Sequence, residues 1–443
     1  MSSLGNKNIF KITASSMDDP DTFISNLLKL KPITSKSQIT KFDNKYYKIL
    51  QKNRKENDDI KNRLDTYNLA EANRITHGRD AFQKAKKDIE LKYGLKSVTN
   101  AWLKMWELNK EFSLSNRNGI NLFDNASMPG AFILAMDYYA SSNNIKFNWM
   151  ASSLLGGEAL GDTYCIYKHN PSHYIMTPEN NGDVLSKKLT QDIIKKVKKV
   201  NLYTADIAGS AAIHGYALEE ENNLPLNCGQ IIGALVSMEV GGHAVFKSFT
   251  YSHMMSLNLI DILAHLWKEV FITKPITSRP LNSETYFVCK GFLGSKKIMD
   301  LVKLLENYID KKYEYLYLIT DQDFMKSVVD SDVIHTDQTK LLNKVINEYI
   351  VLDTIKQEHK NFRQKCKDTR FTPTAKHKTF ADWSKDCYKE LKVIETKYFE
   401  KLNAQQDIIN KDKEIVYKNW LAWAKLRPPK YASIYTFKVG CMN

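Results

Sequence analysis

The sequence predicts an α/β fold: a doubly wound sheet in the middle of the chain, with helical arms on both sides. Between about residues 118 and 293, seven short apolar runs alternate with helical segments: "GINLFD", "IKFNWMA", "DTYCIYK", "VNLYTAD", "HAVFKSFT", "KEVFITK" and "ETYFVCKGF". Strand–helix alternation over such a length builds a sheet covered by helices. Outside that window strand runs are few, and apolar residues recur at three and four, the helical period. Charge supplies a third observation, because Asp124 and Asp206 stand where apolar runs stop. Ligands of open α/β sheets bind beyond the carboxyl ends of the strands, near the point where strand order reverses.

Taken in order, residues 1–95 read as a basic, helical extension that stops at Gly94. The helix "SVTNAWLKMWELNKEF" then opens the sheet region, 96–293, in which "LTQDIIKKVKK" and "CGQIIGALVSMEV" have helical periodicity. Residues 294–443 turn mainly helical again, through "KKIMDLVKLLENYIDKKY", the long "TKLLNKVINEYIVLDTIKQEHKNFRQKCK" and a last "KEIVYKNWLAWAKLRPP". The polar "DTRFTPTAKHKT" at 368–379 is the best linker. No internal repeat is visible.

With 443 residues, 43% hydrophobic and 26% charged, the chain can bury a large core. No apolar stretch approaches the roughly 18 residues that cross a bilayer, and the N-terminus lacks an apolar signal region. A protein inside a cell, or inside a virus made in one, is expected. Six cysteines without a CxxC pair argue against a disulfide framework or a thiolate zinc site. The net charge of +14 suits a polyanionic partner, nucleic acid above all. A Lys- and Asn-rich composition from an A+T-rich genome would give the same number.

Within the sheet region, "NLFDNASMPGAFILAMDYY" places a carboxylate at a strand end, facing a Pro-Gly turn. Pro129 fixes such a turn and Gly130 lets a backbone approach closely. Asp124 could cap the next helix or touch a cationic ligand group. Lys247 lies inside an apolar strand, a costly place for an unpaired ammonium. Glu284 begins the last strand after "TSRPLNS", and Lys104 lies on the helix ahead of the first strand. Singly, each is an ordinary surface charge or structural ion pair. The pair His169 and His173 spans a proline that spoils a helix, so no metal site is expected.

Together these motifs resemble, in order and spacing over about residues 97–293, the FtsJ-like 2′-O-ribose methyltransferases. "NAWLKMWEL" resembles the family's first lysine helix, "DNASMPGAF" its cofactor turn and "LYTADIAG" its aspartate motif. "GGHAVFKSF" resembles the second lysine strand, and "TSRPLNSETYFVCKGF" the glutamate motif in the longer form typical of enzymes that methylate capped mRNA. The resemblance implies a Rossmann-like sheet of seven strands that uses S-adenosyl-L-methionine, with no metal. It implies a catalytic tetrad of Lys104, Asp206, Lys247 and Glu284, with Lys247 as base. Around the cofactor it places Asp124, Ala126, Pro129, Gly130, Ala131 and Asp206, and Asp183 more weakly near the adenine. Ala131 stands where the family has a second glycine. Arg74, Arg79, Lys84 and Arg279 are the expected RNA-gripping residues, the first three on a helix whose alternative is a plain solvated face. For the aromatics Trp420, Trp423, Tyr431 and Tyr435, packing of a terminal helix is favoured over stacking on a base.

The implied activity is 2′-O-methylation of the first transcribed nucleotide of capped mRNA. Ribosomal or transfer RNA is the alternative substrate, and a non-catalytic RNA-binding or scaffold subunit the alternative class. RNA is the expected partner, a membrane is not, and the helical extensions leave room for protein partners. Large flanks and Lys/Asn richness suggest a large cytoplasmic DNA virus, hence the cytoplasm, a viral factory or a virion.

Overall fold

The computed structural model describes residues 8–430, apart from 35–38, 40–41, 116–117, 157–159, 208, 210–217 and 369. Tyr431 and Tyr435 therefore lie outside the described residues. Strand β1 (Ile9–Ile12) is followed by α1 (Pro20–Lys29), α2 (Lys45–Asn62), α3 (Leu69–His77) and α4 (Ala85–Tyr93). Gly94 does end α4, in the left-handed region at φ 66°. Helix α5 (Asn100–Phe112), capped by Thr99, leads into β2 (Ile120–Asn125), α6 (Ala131–Asn143) and β3 (Phe147–Ser152). Then come α7 (Ile166–His169), α8 (Lys187–Lys196), β4 (Val200–Ala205) and α9 (Glu219–Ser237). They are followed by β5 (Met238–Ser248), α10 (Met254–Leu266), β6 (Trp267–Thr273) and β7 (Thr285–Phe292). Four helices complete the described chain: α11 (Ile298–Ile309), α12 (Gln322–Ser331), α13 (Val333–Asp368) and α14 (Phe380–Ala424).

The seven strands form one sheet in the order β1-β6-β7-β5-β4-β2-β3. Pairing is parallel through β5, β4, β2 and β3, and antiparallel through β1, β6, β7 and β5. The strand order reverses between β2 and β4, so the ends of those two strands frame the crevice where such sheets bind ligands.

Seven is the expected number, but one member differs. The run "DTYCIYK" is not a strand; it contains the short helix α7. The seventh strand comes instead from the N-terminal segment expected to be helical, where Ile9–Ile12 pair with β6 along its open edge. Cys165, at the start of α7, is disulfide-bonded, whereas Cys228, Cys289, Cys366 and Cys387 are free thiols.

Apolar side chains cover both faces of the sheet. One core packs α9, α10 and α11 on it, and the other packs α5 and α6, whose faces are buried nearly all round. A smaller cluster of Leu64, Ile75, Leu281, Leu342 and Ile346 ties α3 and α13 to the 274–284 loop, beside the strand ends. Trp420 is fully buried against Phe82, and Trp106 Nε1 donates to Ala424 O at 3.3 Å. Packing is thus the role of Trp420. Among the described residues, no helix is long and apolar enough to cross a membrane.

Candidate active site

The four charges picked out from the sequence converge. Lys104 projects from the buried face of α5, Asp206 follows β4, Lys247 lies on β5 opposite Tyr286, and Glu284 immediately precedes β7. Lys104 Nζ contacts both Glu284 oxygens at 3.0 Å and Asp206 Oδ2 at 3.7 Å. Lys247 Nζ lies 3.4 Å from Asp206 Oδ1 and 3.6 Å from Glu284 Oε2. Each lysine therefore faces both carboxylates, and each carboxylate faces both lysines. Burial of single ions is expensive; this closed arrangement offsets it with four short contacts.

Electrostatics follow from the geometry. Burial favours the neutral form of Lys247, but Asp206 and Glu284 outweigh it and hold the ammonium above its ordinary range. For Glu284 burial works against the carboxylate, yet Lys104, Lys247 and the Ser278 hydroxyl at 2.6 Å keep it well below the usual range.

A supporting layer went unseen in the sequence. Tyr286 Oη donates to Asp206 Oδ1 at 2.7 Å, and nothing marks this tyrosine among the apolar residues of its strand. Glu107, one turn along α5 from Lys104, accepts from Ile276 N (2.7 Å), Thr277 N (3.1 Å) and Thr277 Oγ1 (2.8 Å). Burial pushes Glu107 up to about 7 despite these donors. Lys274 Nζ donates to Asn282 O at 2.6 Å and Glu284 O at 3.0 Å, and burial pushes it down to about 7. The loop that carries Glu284 is thereby clamped to the helix that carries Lys104.

The Pro-Gly turn lies at the neighbouring strand end. Asp124 is buried and accepts from Thr204 Oγ1 at 2.6 Å; burial pushes its carboxyl up to about 7. It does not cap α6, whose N-cap is Gly130, at φ 98°, with no side-chain cap. Ala126 is held in the left-handed region at φ 56°, a mild strain for a residue with a Cβ. The Met128–Pro129 bond is cis. Ala131 is the first residue of α6, in helical conformation, so its methyl group causes no backbone conflict. The Ser127 hydroxyl lies between Asp124 and the buried Tyr174 hydroxyl and lowers the pKa of both. An uncapped helix start and a buried carboxylate with no cation beside it among the described residues suit a small ligand bearing both an ammonium and a carboxylate. Asp183 sits in the turn before α8, where Leu185 N donates to its Oδ1 at 2.9 Å.

Two of the RNA-gripping candidates, Arg74 and Arg79, line one pocket against α13, while Arg279 lies in another. Arg74 stacks on Tyr349 at 4.9 Å, and Arg79 pairs with Glu348 at 2.7 Å, both on α13. Lys84 is exposed, just before α4. Arg279 Nη1 lies 2.8 Å from His77 Nε2, in a pocket of about 170 Å³ that also takes in Lys61, Asn282 and Ser283. Of the four, Arg279 follows Ser278, whose hydroxyl donates to Glu284 at 2.6 Å. His173 Nδ1 meets Trp149 O at 2.8 Å, and no cluster of three or more metal-ligating side chains occurs among the described residues.

Comparison with known proteins agrees with this geometry. Residues 97–292 match the FtsJ-like methyltransferase family. A "Probable methyltransferase EP424R" of African swine fever virus (isolate Pig/Kenya/KEN-50/1950) is 35% identical over 306 residues, covering 61% of this chain and 71% of that one. The same protein from isolate Warthog/Namibia/Wart80/1980 is 36% identical over 280 residues, covering 58% of this chain and 65% of its own. A "Cap-specific mRNA (nucleoside-2′-O-)-methyltransferase 2" from Mus musculus is 26% identical over 330 residues, covering 70% of this chain and 43% of that relative. The chain belongs to the FtsJ-like methyltransferase family.

Proposed function

We propose that this protein is an S-adenosyl-L-methionine-dependent RNA 2′-O-ribose methyltransferase, acting on the first transcribed nucleotide of capped mRNA. The observation that carries the reaction is the closed square of Lys104, Asp206, Lys247 and Glu284 beside the strand-order switch. Capped mRNA as substrate draws on the printed name of the mouse relative and on the "TSRPLNSE" form of the glutamate motif. Cytoplasmic residence, in a viral factory or a virion, is part of the proposal and draws on the African swine fever virus relatives. Protein partners through the helical extensions belong to it as well.

A ribose 2′-hydroxyl is a weak nucleophile that must be oriented and must lose its proton as it attacks. S-adenosylmethionine supplies an electrophilic methyl group on a sulfonium. Asp124 and the start of α6 would hold the cofactor's charged end, and Asp206 would lie close to both cofactor and acceptor. Lys247 is the proton acceptor in this scheme. Asp206 and Glu284 keep it an ammonium in the ligand-free protein, so the amine needed of a base forms once positive charge is added beside it. Lys104, fixed by Glu284, can steady the ribose or its phosphate.

Methyl transfer from S-adenosylmethionine to capped and uncapped RNA, with the methylated nucleotide identified, tests this. A 2′-O-methyl group on the first nucleotide of capped RNA is the expected product. Methylation of structured ribosomal or transfer RNA alone would move the substrate, and no transfer to any RNA would leave a scaffold with an enzyme's fold.

A further inference from the structure

Helices α13 and α14 form a long hairpin, tied by His359 Nε2–Glu395 Oε1 at 3.1 Å and Lys397 Nζ–Glu358 Oε2 at 3.7 Å. Its root is built into the catalytic end of the molecule. Gln338 Nε2 donates to Leu281 O at 3.0 Å, and Leu342 and Ile346 are buried with Leu281. From Gln338 to Asp368, at the far end of α13, the helix rises about 45 Å. The tetrad needs no arm of that reach.

The far end has its own chemistry. Between residues 360 and 392 there are ten lysines and arginines against four acids. Of the acids, Asp386 is already engaged by His377 at 2.9 Å and Lys376 at 3.5 Å. Arg363, Lys367, Arg370, Lys378 and Lys385 are exposed. Amid these cations Phe371, Phe380 and Trp383 gather, with ring centroids 5.6 to 6.3 Å apart. None belongs to a buried core, and Phe380 is 60% exposed. Reversing a helical hairpin requires a stop and a cap; Thr379 already caps α14 by accepting from Asp382 N at 3.2 Å. An exposed Phe380 beside half-buried Phe371 and Trp383, among exposed cations, serves a different purpose. Bases stack on such rings while phosphates pair with the lysines and arginines, the combination that holds single-stranded nucleic acid.

We propose that the tip of this hairpin, around Phe371, Phe380 and Trp383, is a second RNA-holding site that grips a single-stranded stretch of substrate far from the acceptor ribose. It rests on the RNA substrate proposed above and states where the rest of that RNA goes. At about 3.4 Å per nucleotide, 45 Å corresponds to roughly a dozen nucleotides. A 25-nucleotide RNA can therefore reach from tetrad to tip, and a 5-nucleotide RNA cannot.

The test uses the full chain, an unstructured uncapped 25-nucleotide RNA in fluorescence anisotropy, and capped RNAs of 5 and 25 nucleotides in turnover. Two variants are compared with the wild type: Phe380→Ala with Trp383→Ala, and Arg370→Glu with Lys378→Glu and Lys385→Glu. The aromatic variant should bind the 25-mer about tenfold more weakly, since one stacked base contributes about that factor. The charge-reversed variant should bind more weakly still and show a shallower salt dependence, with log Kd against log salt reduced by about two. Both should raise KM for the capped 25-mer and leave turnover of the capped 5-mer unchanged. Unchanged 25-mer affinity in both variants, at wild-type melting temperature, would overturn the proposal and give the surface to an acidic protein. Equal losses on both lengths would overturn it too, as a general fault rather than a distal grip. Anisotropy needs no methyl transfer, so an inactive wild type would count against the proposed activity without deciding this site.

Discussion

Two buried carboxylates, one at the end of β2 and one just before β7, behave in opposite ways. Asp124 is pushed up to about 7, whereas Glu284 is held well below the usual range. Burial acts on both in the same direction, because both are almost fully shielded from water. The difference lies in their neighbours. Glu284 has two ammonium groups and a hydroxyl, while Asp124 has the hydroxyls of Thr204 and Ser127 and, in Asp206, another anion. One corner has satisfied its charges from within the chain; the other keeps a carboxylate with no cation beside it among the described residues. In the proposed scheme the tetrad is prebuilt, and the cofactor turn is completed by what binds.

The largest effect should come from breaking the prebuilt corner at its reacting group. Lys247→Ala is expected to lower single-turnover methyl transfer by about a hundred- to ten-thousandfold with cofactor affinity nearly intact. Lys247→Arg should fail as well, since a guanidinium does not give up its proton in a protein. A folded alanine variant that transfers methyl groups at the wild-type rate would remove the tetrad from the mechanism.

Next comes the cost of a broken pair. Glu284→Ala leaves two buried ammonium groups facing one carboxylate and should destabilise the fold by about 3–5 kcal/mol in denaturant titration. Asp124→Asn removes no ion pair and should change ligand-free stability far less. The acid response should differ in sign. Glu284, depressed in the folded state, stabilises above the ordinary carboxylate range and loses that as pH falls through it; Asp124, raised, favours the fold as pH falls from about 7 toward 4. Similar losses from the two substitutions would mean that the corners are not distinct.

A smaller effect sharpens the comparison from the ligand's side. If Asp124 must be ionised to receive an ammonium, calorimetric affinity for S-adenosylmethionine should rise between pH 6 and 8 and then level. Asp124→Asn should lower it about ten- to a hundredfold and flatten that profile; a pH-independent wild type would exclude Asp124 from the contact. A modest change in stability, about 1–3 kcal/mol, is expected for Gly130→Val. A Cβ there is strained at φ 98° and runs into Ile166 Cδ1. Cofactor affinity should nonetheless fall sharply, and unchanged affinity would take the turn out of the site.

How much of this the sequence disclosed depended on whether the physics was local. An apolar run ending in a carboxylate before Pro-Gly, or a lysine alone inside a strand, is visible within a few residues. Asp124, Asp206 and Lys247 were legible for that reason, and Lys104 and Glu284 through the order of their motifs. Strand β1 was not, because four residues pair with a strand some 260 positions later. Glu107 and Lys274 look like ordinary helix and loop charges until the 274–284 loop folds against α5. Likewise Arg74 and Arg79 read as a basic face, and only α13, far along the chain, supplies the tyrosine and glutamate that engage them.

The burial of Trp420 has a consequence for how the molecule comes apart. The end of α14 lies against α5, and just beyond it Tyr138 Oη donates to Arg427 O at 2.6 Å. The C-terminal helix thus seals the back of the helix that presents Lys104. Cutting the chain at residue 379 would uncover Trp106, Phe82 and Tyr138 together, a sticky apolar face on an otherwise intact sheet. Thermal unfolding should accordingly be cooperative across the sheet and the root of the hairpin, and a truncated sheet region should self-associate rather than melt as a clean, smaller unit.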